Sequence, residues 1–428
     1  MIDINLIRDC PEIIKENIRK KFQDDKLPIV DRIKQKDEEW RELKTKADKL
    51  RAERNKISKE ISETIKNKAN PKSLLKKAKQ IPKQIEEIEN KTKQLKEEIE
   101  KELKQIPNLL HKSVPIGKDE TKNKEIKKIL KTKKFSFPVK THIETAESLK
   151  MADFDTSAKT SGNGFYYLIG DLALLNQALI NYAREFMHSK GYTYVETPLM
   201  IRKEILDGVY SKEEIEQMSF KIEGEDLYLI ATSEHPLIGM FINKTLNRKE
   251  LPKKLTSYSM CFRKEVGSHG INEKGLFRTH QFNKQEMVVI CHPKDSYKLY
   301  DEMLNLSIEV YKKLGIPTRI LESCSGDLSD LKAKGCDLEF WSPVEKKYKE
   351  IGSLTNMEEA QARRLNIKFL DEKNERKFVH TLNNTVIATS RAMRAILENN
   401  QNKDGSVSIP KVLQKYMHNK KKIKIKKL

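Results

Sequence analysis

The strongest constraint on this chain is a pair of heptad runs near its beginning. Val30, Ile33, Trp40, Leu43, Ala47, Leu50, Ile57, Ile61 and Ile65 recur at steps of three, four or seven. Ala78, Ile81, Ile85, Ile88, Thr92, Leu95, Ile99, Glu102 and Ile106 alternate strictly between three and four. Such spacing gathers the apolar side chains into one stripe per helix, the seam of a coiled coil. The break between the runs, KNKANPKS, carries the turn signal Asn70-Pro71. Two long helices joined by so short a break fold back antiparallel. At ~1.5 Å per residue, about 35–40 residues make an arm on the order of 55 Å, over about residues 27–106. Pro82 falls inside the second run, where it removes a helical hydrogen bond and crowds the preceding turn. Either the second helix kinks there or, the favoured expectation, its regular part begins at Pro82 beyond a looser tip.

The tip is chemically set apart. It carries Lys66, Lys68, Lys72, Lys76, Lys77, Lys79 and Lys83 with no acidic residue among them, whereas Lys, Arg and Glu mix along the rest of the arm. A two-helix arm has little core of its own, and a lysine-only tip suits contact with a phosphate backbone. The competing reading is a dimerisation hairpin with a solvated end. The whole chain leans the same way: 84 Lys and Arg against 63 Asp and Glu leave +21. That excess favours a polyanionic partner, or else reflects a general lysine bias.

At 428 residues the chain can hold two or three domains. Residues 1–107 form an N-terminal domain that opens on an amphipathic stretch (Ile13, Ile14 and Ile18 after Pro11) and continues into the arm. Residues 108–134, lysine-rich and without periodicity, read as a linker. Residues 135–417 read as a mixed α+β body. It has helices over Leu172–Gly191, Ser296–Leu314 and Ser390–Asn399, and strands at YTYVETPLM and Leu227–Ile230. Residues 418–428 read as a flexible basic tail, a solubility device or an auxiliary nucleic-acid contact. The five cysteines are scattered without a C-x-x-C pair, which argues against a disulfide framework or a zinc site. With no signal-like opening and no apolar run of about 18 residues, the chain is expected in the cytoplasm, away from membranes.

The chemistry concentrates in a hairpin. Strands over Leu255–Phe262 and Gln281–Ile290 flank a loop with Gly267, Gly270 and Gly275. Arg263 and Glu265 stand at one neck, and Arg278, His280, Lys284 and Glu286 at the other. Charges held near a core need partners or a ligand. Two arginines and two glutamates in register can grip a substrate that carries both phosphates and an ammonium.

FRKEVGSHGINEKGLFRTHQFNKQE resembles motif 2 of the class II aminoacyl-tRNA synthetases, and its HQFNKQE ending resembles seryl-tRNA synthetase in particular. GYTYVETPLM is similar to motif 1 of that family and ATSEH to its Thr-x-Glu signature. YKEIGSLTNMEEAQARR is similar to its metal loop, and HTLNNTVIATSRAMRAILENNQ to motif 3. The opening MIDINLIRDCPEIIKENIRKK and the arm match in position. The resemblance implies an α+β fold: an antiparallel β-sheet catalytic domain of class II type, flanked by helices, with an N-terminal coiled-coil arm. It also implies a homodimer through motif 1.

The activity implied is serine–tRNA ligation. L-serine and ATP would give seryl-adenylate and pyrophosphate, and serine would then pass to the 3′ end of tRNA(Ser) held by the arm; use of tRNA(Sec) is left open. For ATP the resemblance implies Arg263, Lys264, Glu265, Thr279, Phe282, Glu350, Ile351, Gly352, Ser353 and Arg391. For serine it implies Thr232, Ser233, Glu234, Arg263, Glu286 and Thr385. Arg263, Glu286 and Arg391 are the catalytic set. Glu350 and Ser353, hard oxygen ligands, would hold Mg²⁺ together with the ATP phosphates. Gly352 departs from the family's Glu-Ile-Ser-Ser, which puts a contact at that position in doubt. His280 is not needed as a base, because serine's carboxylate is already an anion. Two relatives remain as alternatives: a silent paralogue, which the intact charged set argues against, and a carrier-protein ligase, which the arm argues against.

Overall fold

A computed structural model describes residues 1–266 and 275–424; Gly267 and Gly270 of the expected loop lie outside the described residues. The chain divides into two compact units, Met1–Pro107 and Asn108–Leu428.

In the first unit the arm helices span Leu27–Lys66 and Lys72–Leu103. Interhelical pairs fix their direction. Lys36 meets Glu98 at 2.7 Å, Arg51 meets Glu89 at 2.6 Å, and Ile57 packs with Ile81 and Ile85. Partners fall in number as residues rise, so the helices are antiparallel. The expectation of a loose tip before Pro82 is not met, since the second helix runs through it. Pro82 lies on the exposed face between buried Ile81 and Ile85, so its ring meets solvent and not the seam. The step of seven from Ile33 to Trp40 also conceals a buried charge. Asp37 occupies the seam at 2% side-chain exposure, held by Arg8 at 2.7 Å and Arg41 at 2.9 Å. Burial alone would raise its carboxyl, but the two guanidinium groups outweigh it and keep it below the usual range.

The second unit is built on an eight-stranded sheet. Its strands, in chain order, are β1 (Lys124–Ile129), β2 (Thr193–Tyr194), β3 (Lys253–Phe262), β4 (Gln281–Cys291), β5 (Thr318–Glu322), β6 (Lys334–Ser342), β7 (Lys347–Glu358) and β8 (His380–Ala388). The spatial order is β1-β5-β6-β7-β8-β4-β3-β2. Neighbours are antiparallel except β2, which runs parallel to β3. The stretch expected as a linker supplies the edge: β1 pairs with β5, and Asn108 donates to the carbonyls of Leu331 and Met357 at 3.0 and 2.9 Å. Its lysines hid it, because an edge strand exposes charge where a central strand would alternate. The basic tail is likewise anchored, since Lys422–Ile423 pairs with Val407–Ser408 and Ile423 is fully buried.

The central strand β4 is buried on both faces, and its parity positions the site. Odd residues Met287, Val289 and Cys291 enter the main core with helices Asp171–Ser189, Ser296–Lys313 and Thr389–Asn399. Even residues Val288 and Ile290 join a second core on the other face. Side chains two apart share a face, so Phe282, Lys284 and Glu286 lie in line with that second core.

Candidate active site

A cleft of about 420 Å³ opens on that face. Of the residues expected to meet serine or ATP, all line it except Ser233 and Lys264. The Ser233 hydroxyl is turned into the protein, where it donates to the Ser257 carbonyl at 3.2 Å. Lys264 is fixed through its backbone, whose N–H donates to Met218 at 3.0 Å, and its side chain is not part of the wall.

At the hairpin neck the Arg263 guanidinium stacks 5.2 Å from the Phe282 ring, and its Nε donates to the Ala231 carbonyl at 3.3 Å. Cys261 and Phe282 are register partners on β3 and β4, which sets this stack at the strand ends. Glu265 pairs with Arg278 at 3.1 Å, and Arg263 lines the cleft. His280 holds the neck together: its ring nitrogen Nδ1 donates to the Arg263 carbonyl at 2.8 Å, and its backbone N–H donates to Gly164.

Deeper in, Glu234 and Glu286 stand close enough that burial, then the charge of Glu286, push the Glu234 carboxyl above its ordinary range. Glu234 accepts from Gln361 at 2.9 Å and from the Asn383 amide. Glu286 Oε2 is ion-paired with Lys284, whose Nζ lies 2.5 Å away. Asn383 Oδ1 is buried without a donor. Thr385, opposite Glu286 in the β4–β8 register, and Thr232 bring two hydroxyls to the same wall. Gly352 lies behind Thr385, and a Cβ there would stand 3.3 Å from the Thr385 Cβ.

Glu350 and Ser353 are three apart on β7, and in a regular strand they would face opposite ways. The register shift opposite Leu338 and Glu339 removes the conflict: Glu350 pairs with Glu339 and Ser353 with Asp337. One extra residue puts both oxygens on the cleft face. Glu350 is bound to Arg391 at 2.8 Å, and although burial disfavours its charge, Arg391 and then Arg263 hold it below the usual range. Asp337, beside Ser353, is pushed up to about 7 by burial and then by the charge of Glu350. Arg391 lies 5.2 Å from the ring of Phe277.

Among the wall residues to which the motifs gave no role are Lys284, Asn383 and Asp337. A signal existed for the first two, since each lies two positions from an expected residue on the same strand, Glu286 and Thr385. Asp337 reaches the site only through the pairing of β6 with β7.

Comparison with known proteins shows the family. A model described as the seryl-tRNA synthetase N-terminal domain matches residues 1–110, and the tRNA synthetase class II core domain (G, H, P, S and T) matches residues 218–400. A serine–tRNA ligase of Methanocella arvoryzae is 43% identical over 98% of this chain and 99% of its own. The crystal structure of seryl-tRNA synthetase from Pyrococcus horikoshii complexed with ATP superposes with a TM-score of 0.95 at 41% identity, covering 100% of both chains. That of cytoplasmic serine–tRNA ligase from Naegleria fowleri in complex with AMP gives 0.90 at 34%, over 100% of this chain and 99% of that one.

Proposed function

The chain belongs to the seryl-tRNA synthetase family, and on that premise we propose that it is a serine–tRNA ligase whose cleft forms seryl-adenylate from L-serine and ATP. The observation that carries this reading is the excess of acceptors on one wall. Glu286 and Glu234 are two buried carboxylates beside a single lysine, Lys284, and Asn383 Oδ1 is buried without a donor. A substrate ammonium brings three N–H donors and a positive charge to that wall. Thr232 and Thr385 meet the serine hydroxyl. A pocket that hydrogen-bonds this group rejects alanine, which would leave buried polar groups unpaired, while threonine is excluded by size.

Arg263, stacked on Phe282, takes the α-phosphate and the serine carboxylate in its planar fork. Arg391 takes the γ-phosphate, and Glu265 and Thr279 contact the nucleotide. The attacking carboxylate is already an anion, so adenylation needs positioning and charge stabilisation more than a base. His280, whose ring is committed to the Arg263 carbonyl, is left out of the chemistry.

The donor set at Glu350, Ser353 and Asp337 is all oxygen, which fits Mg²⁺. Among the described residues no group of three or more His, Cys, Asp or Glu could hold a metal ion by itself. Glu350 and Ser353 would hold the ion, and when bound it neutralises phosphate charge.

We extend the proposal to the partners. The seven lysines at the tip of the arm, all exposed, would hold tRNA(Ser) by its phosphate backbone. Exposed Leu199 and Met200 in the motif 1 segment support a homodimer. No described helix is long and apolar enough to cross a membrane, and a cytoplasmic site of action suits the free cysteines. Pyrophosphate exchange with each amino acid in turn tests the reading. Serine-dependent exchange is expected; no exchange with serine, or a faster rate with glycine or alanine, would overturn it.

A further inference from the structure

We infer that His142 is a positioning residue for the ATP half of the site, tying the returning limb of the hairpin loop to the helix that carries Arg391. His142 opens the short helix His142–Ser148 and is 6% exposed, outside the cleft wall. The Leu276 backbone N–H donates to its Nε2 at 3.2 Å. That nitrogen therefore carries no proton, and Nδ1–H donates to Glu398 Oε1 at 3.1 Å. One imidazole in one tautomer thus spans two elements of the site.

Both ends lead to Arg391. Glu398 sits on helix Thr389–Asn399 together with Arg391 and Arg394. It also accepts from Arg394 Nε at 2.9 Å and from the Ser342 hydroxyl at 2.6 Å, so the carboxylate is rigidly held. On the other side, Leu276 is fully buried and the next residue, Phe277, lies against both guanidinium groups, 5.2 Å from Arg391 and 4.7 Å from Arg394. The Leu276 bond therefore sets the ring against which Arg391 rests. Gly275 allows the approach. It has φ +141°, and a Cβ there would stand 2.8 Å from His142 Nε2.

Two substitutions separate the bonds. His142→Asn keeps an N–H near Nδ1 for Glu398 but cannot reach Leu276. His142→Gln places an oxygen near Nε2 for Leu276 and gives up Glu398. In pyrophosphate exchange with the full chain, His142→Asn should raise KM for ATP about tenfold, the worth of one buried hydrogen bond, with KM for serine within about twofold. His142→Gln keeps the Leu276 bond that sets Phe277, and Glu398 is still held by Arg394 and Ser342, so KM for ATP should stay within about threefold of the native value. A loss of stability would lower the amount of active protein but not its KM. The inference is overturned if His142→Asn leaves KM for ATP unchanged, if His142→Gln raises it equally, or if KM for serine moves in step. It rests on the assignment of Arg391 to ATP, which Arg391→Ala tests separately. If Arg391→Ala leaves KM for ATP unchanged, that assignment fails. If it raises KM while His142→Asn does not, only the positioning role fails.

Discussion

Replacing Lys284 by Met keeps most of the apolar stem of the side chain and removes its charge. In the native protein its Nζ lies 2.5 Å from Glu286 Oε2, with 8% and 1% of the two side chains exposed. Glu234 is a second buried carboxylate on the same wall, its carboxyl already raised by burial and by Glu286. Breaking a buried pair from one side costs about 3–5 kcal/mol. The variant can limit the loss by taking a proton onto one of the two carboxylates. For a carboxyl of ordinary pKa about 4.3, that costs 1.36 × (7 − 4.3), or about 3.7 kcal/mol, at pH 7 and about 1 kcal/mol at pH 5. Lys284→Met should therefore lose about 3–4 kcal/mol of stability at pH 7 but only about 1 kcal/mol at pH 5. The sign follows from proton linkage. A carboxyl raised in the folded state binds protons the unfolded chain releases, so its contribution is present at low pH and lost as pH rises through the folded value. Thermal unfolding of both proteins at the two pH values checks this. An equal drop in Tm at pH 5 and pH 7 would refute the charge argument and leave only packing of the lysine stem.

Gly352→Ser forces a Cβ to 3.3 Å from the Thr385 Cβ. An overpacking strain of about 1–3 kcal/mol should appear as a several-fold higher KM for serine with KM for ATP unchanged, measured by pyrophosphate exchange. Asp337, raised to about 7, binds more protons in the folded chain than in the unfolded one, so its contribution is lost as pH rises from about 4 to 7. Asp337→Asn should therefore gain stability over the native protein across that window and hold the gain above it, read as Tm against pH without added metal. Replacing Lys72, Lys76, Lys77, Lys79 and Lys83 by Ala should leave pyrophosphate exchange intact and abolish tRNA charging at physiological salt; charging that persists would remove the tip from tRNA binding. Charging by the native protein should in turn fall steeply with salt, because each phosphate contact releases a counterion.

Much of the fold was legible because its signals are local. The heptads place both arm helices, and a coiled-coil stripe needs no distant partner to be recognised. The hairpin strands and the long helices of the body are equally readable from their periods. The failures share one cause, in that the missing information lay elsewhere in the chain. Lys124–Ile129 reads as linker until β5 is there to pair with it. The tail reads as flexible until Val407–Ser408 pairs with Ile423. Pro82 reads as a break until the helix is seen to turn it toward water.

The sequence by itself determined the cast of the site: arginines, glutamates and hydroxyls in motifs specific enough to name a family, and a lysine tip free of acids. Tertiary structure decided which of them face one another. Strand parity aligns Lys284 with Glu286 and Asn383 with Thr385, the β7 irregularity turns Glu350 and Ser353 to one side, and the β6–β7 pairing delivers Asp337. The physical reason is one of range. Propensity, capping and period act within a few residues of the backbone, whereas a buried carboxylate such as Glu234 acquires its charge state and hydrogen-bond partners from elements far away in the chain, here Gln361 and Asn383.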